Sequence, residues 1–202
     1  EDYKLLRIDL SKRTTTVEDV PKEYIERYIG GKGLGTKYLL EEVPPQTDPL
    51  GKDAKMFLVN GPLTGTLFPT STRYGIVYKS PLTGTFAESY SGGNVGRVIR
   101  FVGYIAIAIA GVSERPVFLD ISDEKVEFND ATELWGLDTI ETTQILNEKE
   151  SRDVGVICIG PAGENLVRIA SLQNDLYHSA GRCGPGAVFG SKKLKAIRFK
   201  GK

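Results

Sequence analysis

The chain has few of the residues from which disulfide frameworks and thiolate metal sites are built. Its 202 residues include two cysteines, Cys158 and Cys183, and a single histidine, His178. Two cysteines outside a CxxC pair provide neither a disulfide framework nor the spacing of a thiolate site. We therefore expect a reducing, cytoplasmic setting.

The chain also lacks an excess of either charge and any long apolar segment. Lys and Arg together number 26, as do Asp and Glu together, so no net field attracts nucleic acid or an acidic membrane surface. The longest apolar run, residues 104–112, is too short to span a bilayer and predicts a buried strand. We expect neither nucleic acid nor a membrane as a partner. The length predicts one large domain or two small ones.

Glycine, by contrast, is abundant, with 23 residues concentrated in clusters. The clusters are residues 30–35, 61–65, 91–96, 160–163 and 179–195. The last one reads SAGRCGPGAVFGSKKLK and combines glycines with basic residues just before an apolar strand. Glycine lets backbone N–H groups approach a ligand, and basic residues suit phosphate. A plain turn between two elements has the same composition, so this segment alone leaves both interpretations open.

The two halves of the chain predict the same series of elements. Each half reads as a β-hairpin, a helix, a strand ending in Gly-Pro, a further strand, a Gly-rich turn, a short helix and a last strand. The further strand is predicted at residues 73–79 in the first half and 166–170 in the second. Matching identities are Asp9-Leu10 with Asp120-Ile121, Gly61-Pro62 with Gly160-Pro161, Gly96 with Gly186, Ala106-Ile107 with Ala196-Ile197, and Gly111 with Gly201.

This pattern predicts an internally duplicated, β-rich α+β fold. The repeats would occupy about residues 4–112 and 116–202 of a single domain that spans residues 1–202. The alternative is a coincidence of common hairpin patterns. Repeats usually pack about a pseudo-twofold axis, and the offset of 90 residues between Gly96 and Gly186 places residues 89–92 opposite residues 179–182. Such a pair of turns would form one site for a roughly two-fold ligand, or for two copies of a ligand.

An ordered series of motifs resembles that of one known family. The motifs are GGKGLG at residues 30–35, GPLTGT at 61–66, KSPLTG at 79–84, SGG at 91–93, IGPAGENLV at 159–167 and AGRCGPGAVFGSKKLKAI at 180–197. The series is similar to the N-terminal, tungstopterin-binding domain of the aldehyde:ferredoxin oxidoreductases. The resemblance covers essentially the whole chain.

The resemblance implies a duplicated α+β domain that forms the base for a metal cofactor. In the family, one tungsten (sometimes molybdenum) is held by the dithiolenes of two pterins, whose phosphates are bridged by magnesium. The implied reaction oxidises an aldehyde to a carboxylate and passes two electrons through a 4Fe-4S cluster to ferredoxin. The cofactor carries this chemistry, while the protein binds and orients it.

The resemblance also implies which residues bind the cofactor. Arg73 matches an arginine that lies between pterin and cluster, and its guanidinium suits pterin heteroatoms and phosphate. Gly92 matches a pterin-contacting glycine, while Ala180 and Arg182 match the second pterin turn. The backbone carbonyls of Tyr90 and Ala180 would bind magnesium, at positions that the 90-residue offset relates. The rest of the predicted cofactor-binding set is Ser91, Gly93, Ser179 and Gly181.

Several positions depart from the family's pattern. Tyr90 stands where Asn is usual, a change of side chain that leaves the backbone carbonyl ligand in place. Cys183 stands where Gly is usual, and it is either a small filler or a reactive thiol. His178 stands where Arg is common, which removes a positive charge; it could contact phosphate, have a structural role or catalyse. Lys192 and Lys193 are predicted either to serve phosphate or to lie on the solvated surface.

The chain lacks the closely spaced cysteines that the family's cluster requires. We therefore expect part of a longer enzyme, inactive alone, with the iron–sulfur and substrate domains downstream. The expected partners are those domains, ferredoxin, a small aldehyde and a second copy in a homodimer. Two alternatives stay open: a relative with other redox chemistry, such as carboxylate or aromatic-ring reduction, and a non-catalytic module that binds a phosphate ligand.

Overall fold

The computed structural model describes residues 3–123, 125–149 and 151–202. Its first six strands are β1 (Lys4–Asp9), β2 (Thr14–Asp19), β3 (Met56–Asn60), β4 (Tyr74–Lys79), β5 (Phe86–Ser91) and β6 (Ala106–Ala110). The next six are β7 (Val117–Ser122), β8 (Val126–Asp130), β9 (Val154–Cys158), β10 (Leu172–Asn174), β11 (His178–Ala180) and β12 (Leu194–Lys200). The helices are α1 (Lys22–Tyr28), α2 (Gly31–Glu42), α3 (Val95–Phe101), α4 (Thr139–Leu146), α5 (Pro161–Glu164) and α6 (Pro185–Ser191). Within these described ranges, no helix is long and apolar enough to cross a membrane.

The strands form two six-stranded sheets with the same topology. The first has the order β2-β1-β6-β3-β4-β5, and the second has the order β8-β7-β12-β9-β10-β11. In each sheet one inner pair is parallel, β1 with β6 and β7 with β12, and the other described pairs are antiparallel. The predicted α+β class and the internal duplication are therefore confirmed.

The strand register corrects one of the predicted matches between the repeats. Ile8 pairs with Ile109 of β6, and Ile121 pairs with Phe199 of β12, the position 90 residues after Ile109. Ile8 and Ile121 are therefore equivalent. The predicted match of Asp9-Leu10 with the Asp-Ile dipeptide of β7 is wrong by two residues, because the apolar residues that face the core fix the register.

One apolar cluster joins the two repeats. It includes Leu6 and Ile76 from the first sheet and Leu119 and Ile197 from the second, all fully buried. The opposite face of each sheet is covered by its own helix. The helix α2 packs on the first sheet through residues such as Leu34, and α4 packs on the second. The repeats therefore share one core, and their relative position is set by packing rather than by a linker.

Local signals place the helices correctly. Gly30-Gly31 separates α1 from α2, and Gly30 has a φ of 146°, which suits glycine alone. A capping box opens α4: the Asp138 side chain accepts from the backbone N–H of Glu141, and the Glu141 side chain accepts from the backbone N–H of Asp138. This helix ends at Leu146.

The structure departs from prediction along the edge strands. Residues 166–170, predicted as a strand, form a loop in which Leu166 has a φ of 57°, and the strand of that repeat is β10 instead. The strands β5 and β11 were not predicted. Buried and more exposed residues alternate along β5, as expected for a strand. Its partly polar composition and the glycine cluster that follows it concealed this pattern in the sequence.

The helices α3 and α6 each contain a glycine that packs on a carbonyl of the preceding loop. A Cβ at Gly96 would lie 2.3 Å from the carbonyl oxygen of Thr72, and one at Gly186 would lie 2.4 Å from that of Ser171. These distances are too short for any side chain. The two glycines are equivalent in the repeats, so each repeat brings its short helix against the loop that precedes its fourth strand.

Candidate functional site

The two edge strands β5 and β11 meet where the pseudo-twofold axis was expected. The backbone N–H of Arg182 donates to Ser89 Oγ at 3.1 Å. Ser91 Oγ donates to Asn174 Oδ1 at 2.5 Å, and Tyr74 OH donates to the same oxygen at 3.2 Å. Each edge therefore contacts the opposite repeat, and the two Gly-rich turns lie at this junction.

The register at the junction shifts the predicted equivalence by one residue. Ser91 and Ala180 each end their edge strand, opposite the first residue of β4 and β10 respectively, so they are equivalent. Tyr90 therefore corresponds to Ser179. The predicted relation of Tyr90 to Ala180 by the 90-residue offset is wrong, since the offset from residue 91 to residue 180 is 89. The second Gly-rich turn, residues 181–184 between β11 and α6, has one residue more than the turn between β5 and α3. The offset between equivalent residues is therefore 90 again in the helices, as for Gly96 and Gly186.

An open cleft of about 630 Å³ lies along the junction. Its lining residues are Phe86, Ala87, Glu88, Ser89, Tyr90, Ser179, Gly181, Arg182 and Cys183. The cleft brings together four of the predicted site residues: Tyr90 of β5, Ser179 of β11, and Gly181 and Arg182 of the turn that follows β11. Ser91 and Ala180 are buried beneath it, and Gly93 lines a separate pocket of about 350 Å³.

Side chains of the first repeat hold the backbone of the second turn. Tyr78 OH donates to the carbonyl of Arg182 at 2.5 Å, and Ser80 Oγ donates to that of Cys183 at 2.8 Å. Together with the Ser89 contact, these bonds fix the turn while leaving the Arg182 guanidinium exposed. Cys183 has a φ of 62°, in the left-handed region that favours glycine. This explains why glycine is the usual residue at this position in the family that the sequence resembles.

Several polar groups at the junction are available to a ligand. Within the described ranges, the side chains of Arg73, Arg182, His178 and Ser179 make no hydrogen bond or ion pair. A Cβ at Gly181 would meet only Ser179 Oγ, at 3.3 Å, so the backbone there is open. In the cleft, the Arg182 guanidinium, the Ser179 hydroxyl and accessible backbone form a donor set that suits an anionic, phosphate-bearing ligand. The residues present therefore fit a pterin phosphate.

The predicted site residues do not all line one surface. Arg73 is exposed just before β4, where its carbonyl accepts from Thr64 Oγ1 at 3.0 Å, and it does not line the cleft. Gly92 packs against His178, because a Cβ at Gly92 would lie 3.2 Å from His178 Cδ2. In the described part of the chain, no group of three or more His, Cys, Asp or Glu residues could hold a metal.

Tyr90 is held neutral in the cleft. Burial and the neighbouring Glu88 carboxylate raise the Tyr90 pKa to about 12. The Tyr90 hydroxyl lies 3.2 Å from Glu88 Oε2, and Lys32 Nζ donates to Glu88 Oε1 at 2.9 Å. The phenol therefore adds no negative charge to the site near neutral pH, while Lys32 offsets the charge of Glu88.

Cys158 is a buried thiol away from the cleft. Burial raises its pKa to about 11, and Thr143 Oγ1 lies 3.5 Å from its sulfur. A thiol with a raised pKa is a poor nucleophile, so Cys158 serves as a small core residue. Cys183, in contrast, is partly buried and lines the cleft.

Lys192 occupies neither of its two predicted environments. Its side chain is fully buried, and Nζ donates to the carbonyl oxygens of Ala54 at 2.6 Å and Gly111 at 3.1 Å. Burial lowers its pKa from 10.5 to about 8, against the opposing effect of Asp9 and Asp53. Lys192 is therefore a structural donor that links the two repeats, not a phosphate ligand or a surface lysine.

The buried Lys192 should make the protein more stable as the pH rises. Between pH 8 and 10.5 the unfolded chain keeps a proton that folded Lys192 has lost, so the free energy of unfolding increases across this interval. The increase should be on the order of 3 kcal/mol, and the full penalty is present at lower pH. Urea unfolding at several pH values in this interval measures the slope. The Lys192→Met variant should have a flatter slope, and equal slopes would contradict the prediction.

Comparisons with known proteins agree on one family. The family model described as the N-terminal domain of aldehyde ferredoxin oxidoreductase matches residues 5–201. A tungsten-containing aldehyde ferredoxin oxidoreductase from Thermococcus kodakarensis is 45% identical over 199 residues, which cover 98% of this chain and 33% of that protein. The protein of the same description from Pyrococcus furiosus is 44% identical, with the same coverage. The chain thus spans about a third of the length of these relatives.

Two further relatives have other described activities. A protein from Pyrococcus furiosus described as an aliphatic sulfonate oxidoreductase, WOR-like subunit, is 35% identical and is matched over 98% of this chain and 34% of its own length. Among solved structures, the active site complex of benzoyl coenzyme A reductase with 1,5-dienoyl-CoA superimposes with a TM-score of 0.95 at 34% identity. That match covers 100% of this chain and 32% of the other.

Proposed function

The chain belongs to the aldehyde ferredoxin oxidoreductase family, whose N-terminal domain it matches, and on that premise we propose that it binds a tungsten (or molybdenum) bis-pterin cofactor. The observation that carries the proposal is the junction of the two repeats. There, two glycine turns related by a pseudo-twofold axis lie beside exposed donors that have no partner in the described ranges. A ligand with two similar halves matches such a pair of turns.

The proposed roles follow from the chemistry of the donors. Arg73 and Arg182 would offer planar guanidinium groups to pterin heteroatoms and phosphate oxygens, and they stay charged beside a polyanion. Gly92, Gly93 and Gly181 would let the backbone approach each pterin, while Ser91, Ser179 and Ala180 support the turns. The backbone carbonyls of Tyr90 and Ala180 are proposed to bind magnesium. When bound, the cofactor supplies the two-electron redox chemistry.

The proposed reaction belongs to the longer protein. We propose that it oxidises a small aldehyde with water to a carboxylate in the cytoplasm, releasing protons and two electrons, which a 4Fe-4S cluster would pass to ferredoxin. Apolar side chains near the turns support the further domains as partners, since Leu67, Phe68 and Ile169 are 103%, 61% and 66% exposed. A homodimer is part of the proposal, whereas nucleic acid and membranes are not.

The test is the tungsten and pterin content of the full-length protein. Arg182→Ala should lower both contents about tenfold, because it removes a charge-assisted contact to phosphate. Arg73→Ala should also lower them. The matched control is Arg27→Ala, at an exposed position of α1, which should leave both contents unchanged. Metal analysis and fluorescence of the oxidised pterin give the readouts.

Each outcome has a separate meaning. Full-length protein without tungsten, molybdenum or pterin would refute the proposed function and favour a non-catalytic module that binds a phosphate ligand. Unchanged contents in Arg182→Ala or Arg73→Ala would remove that arginine from the site. Arg182→Lys should give an intermediate content, because lysine keeps the charge but lacks the planar fork.

A second candidate is a relative with different redox chemistry. The TM-score of 0.95 to the benzoyl coenzyme A reductase complex favours it, because the same domain occurs in a protein that is described as a reductase. The holoenzyme assayed with aldehydes, carboxylates and an aromatic acyl-CoA would distinguish the two. Activity with aldehydes alone would support the first candidate.

A further inference from the structure

We propose that Asn174 and Asp175 are positioning residues for the first glycine turn, residues 91–94, in the cofactor site. The inference rests on the proposed function and deepens it. Both residues belong to the second repeat, whereas the turn belongs to the first. Neither is one of the residues predicted to bind the cofactor.

The Asp175 carboxylate accepts from three backbone N–H groups on two separate segments. Its Oδ2 accepts from the N–H groups of Asn94 at 2.6 Å and Val95 at 3.1 Å, and its Oδ1 accepts from Val156 N–H at 3.3 Å. Asn94 and Val95 form the junction of the first turn with α3, while Val156 belongs to β9. One side chain therefore fixes the end of the turn against the second sheet.

Asn174 fixes the start of the same turn. It is fully buried, and its Nδ2 donates to the Gly92 carbonyl at 3.1 Å and to Asp175 Oδ2 at 3.1 Å. Its Oδ1 accepts from Ser91 Oγ and from Tyr74 OH. Every polar atom of this amide thus has a partner, and those partners lie on both sides of the junction.

The turn is in close contact with these two side chains. A Cβ at Gly93 would lie 2.7 Å from Asp175 Oδ2 and 2.9 Å from Asn174 Nδ2, and Gly93 has a φ of +78°. Asp175 and the next residue, Leu176, have φ values of 48° and 66°, an unfavourable pair that the surrounding bonds maintain. The position of the first turn is therefore set by the opposite repeat, much as Tyr78, Ser80 and Ser89 set the second turn.

The experiment uses the full-length holoenzyme with the Asp175→Asn substitution. Asparagine tolerates a positive φ as well as aspartate does, so the variant keeps the backbone shape and loses one acceptor oxygen. We expect tungsten and pterin to dissociate roughly tenfold faster during dialysis, as for the loss of an outer partner of a metal site. Melting temperature is measured on the same samples.

The matched control is Asp138→Ala, since alanine removes the capping oxygen. Asp138 caps α4 through its carboxylate, on the outer face of the second sheet, so its loss weakens a cap without touching the junction. Tyr74→Phe is the second variant, because it keeps the buried ring and removes only the hydroxyl that donates to Asn174. It should accelerate cofactor loss about twofold to threefold, and it tests the proposal if Asp175→Asn does not fold.

The results separate positioning from general stability. Faster cofactor loss in Asp175→Asn than in Asp138→Ala, at an equal fall in melting temperature, would support the proposal. Equal loss in these two variants, or unchanged retention in both Asp175→Asn and Tyr74→Phe, would overturn it while leaving the proposed function intact. Wild-type protein without tungsten, molybdenum and pterin would instead overturn the proposed function and this inference with it.

Discussion

Replacing Glu164 with glutamine should lower the free energy of unfolding by about 3–5 kcal/mol, because it leaves a buried ammonium without its counter-charge. The Lys195 side chain is fully buried, and that of Glu164 is 5% exposed. Lys195 Nζ donates to Glu164 Oε1 and, at 2.8 Å, to the Leu137 carbonyl. Both oxygens of Glu164 also accept from the backbone N–H of Gly136, at 3.1 and 3.0 Å. The pair therefore joins α5, β12 and the segment before α4.

Thermal and urea unfolding measure this loss. For a domain of this size, 3–5 kcal/mol corresponds to a fall in melting temperature of roughly 10 °C. The matched control is Glu26→Gln, since Glu26 pairs with Lys22 at 3.7 Å with both side chains largely exposed, so a change of at most a few tenths of a kcal/mol is expected. Adding Lys195→Met to Glu164→Gln should recover part of the stability. A loss below about 1 kcal/mol in the single variant would show that the pair is not critical.

Gly96→Ala and Gly186→Ala should each destabilise the protein by about 1–3 kcal/mol or more. The methyl group would meet a carbonyl oxygen at 2.3 Å in the first case and 2.4 Å in the second, and a backbone carbonyl cannot turn aside as a flexible side chain does. The short helix or the preceding loop must move. In Gly96→Ala the displaced carbonyl belongs to Thr72, so Arg73 shifts as well.

These variants are measured in two ways. Urea unfolding gives the stability loss, and the control is Gly103→Ala, where φ is +92° but no atom lies within 4 Å of the added Cβ. The control should lose only the cost of the backbone conformation, about 1–2 kcal/mol. In the full-length protein, Gly96→Ala should also reduce tungsten content through the shift of Arg73. If Gly96→Ala loses less than about 1 kcal/mol and keeps its tungsten, the steric interpretation is wrong.

Local chemistry made much of the fold predictable. The Gly30-Gly31 break and the Asp138 capping box are encoded within a few residues of sequence. The duplication was predictable because the same order of hairpin, helix and strand occurs twice. The glycine clusters indicated which turns meet at the junction of the repeats, since glycine is needed where backbone groups pack closely.

Long-range packing was not predictable from these signals. The burial of Lys192 depends on carbonyl groups at Ala54 and Gly111, which lie far away in sequence. The register of the edge strands depends on pairing with β4 and β10, so the one-residue shift at Ala180 could not be inferred from an offset measured in the helices. Asp175 gave no local signal either, because its main partners belong to the other repeat.

The additional residue in the second turn makes the two halves of the site chemically distinct. A ligand with two identical halves would meet Tyr90 on one side and Ser179 on the equivalent side, with Arg182 present in one turn only. Its halves would therefore differ in hydrogen bonding and in local potential. Turning such a ligand end for end would not restore the same contacts, so we expect the site to select one orientation.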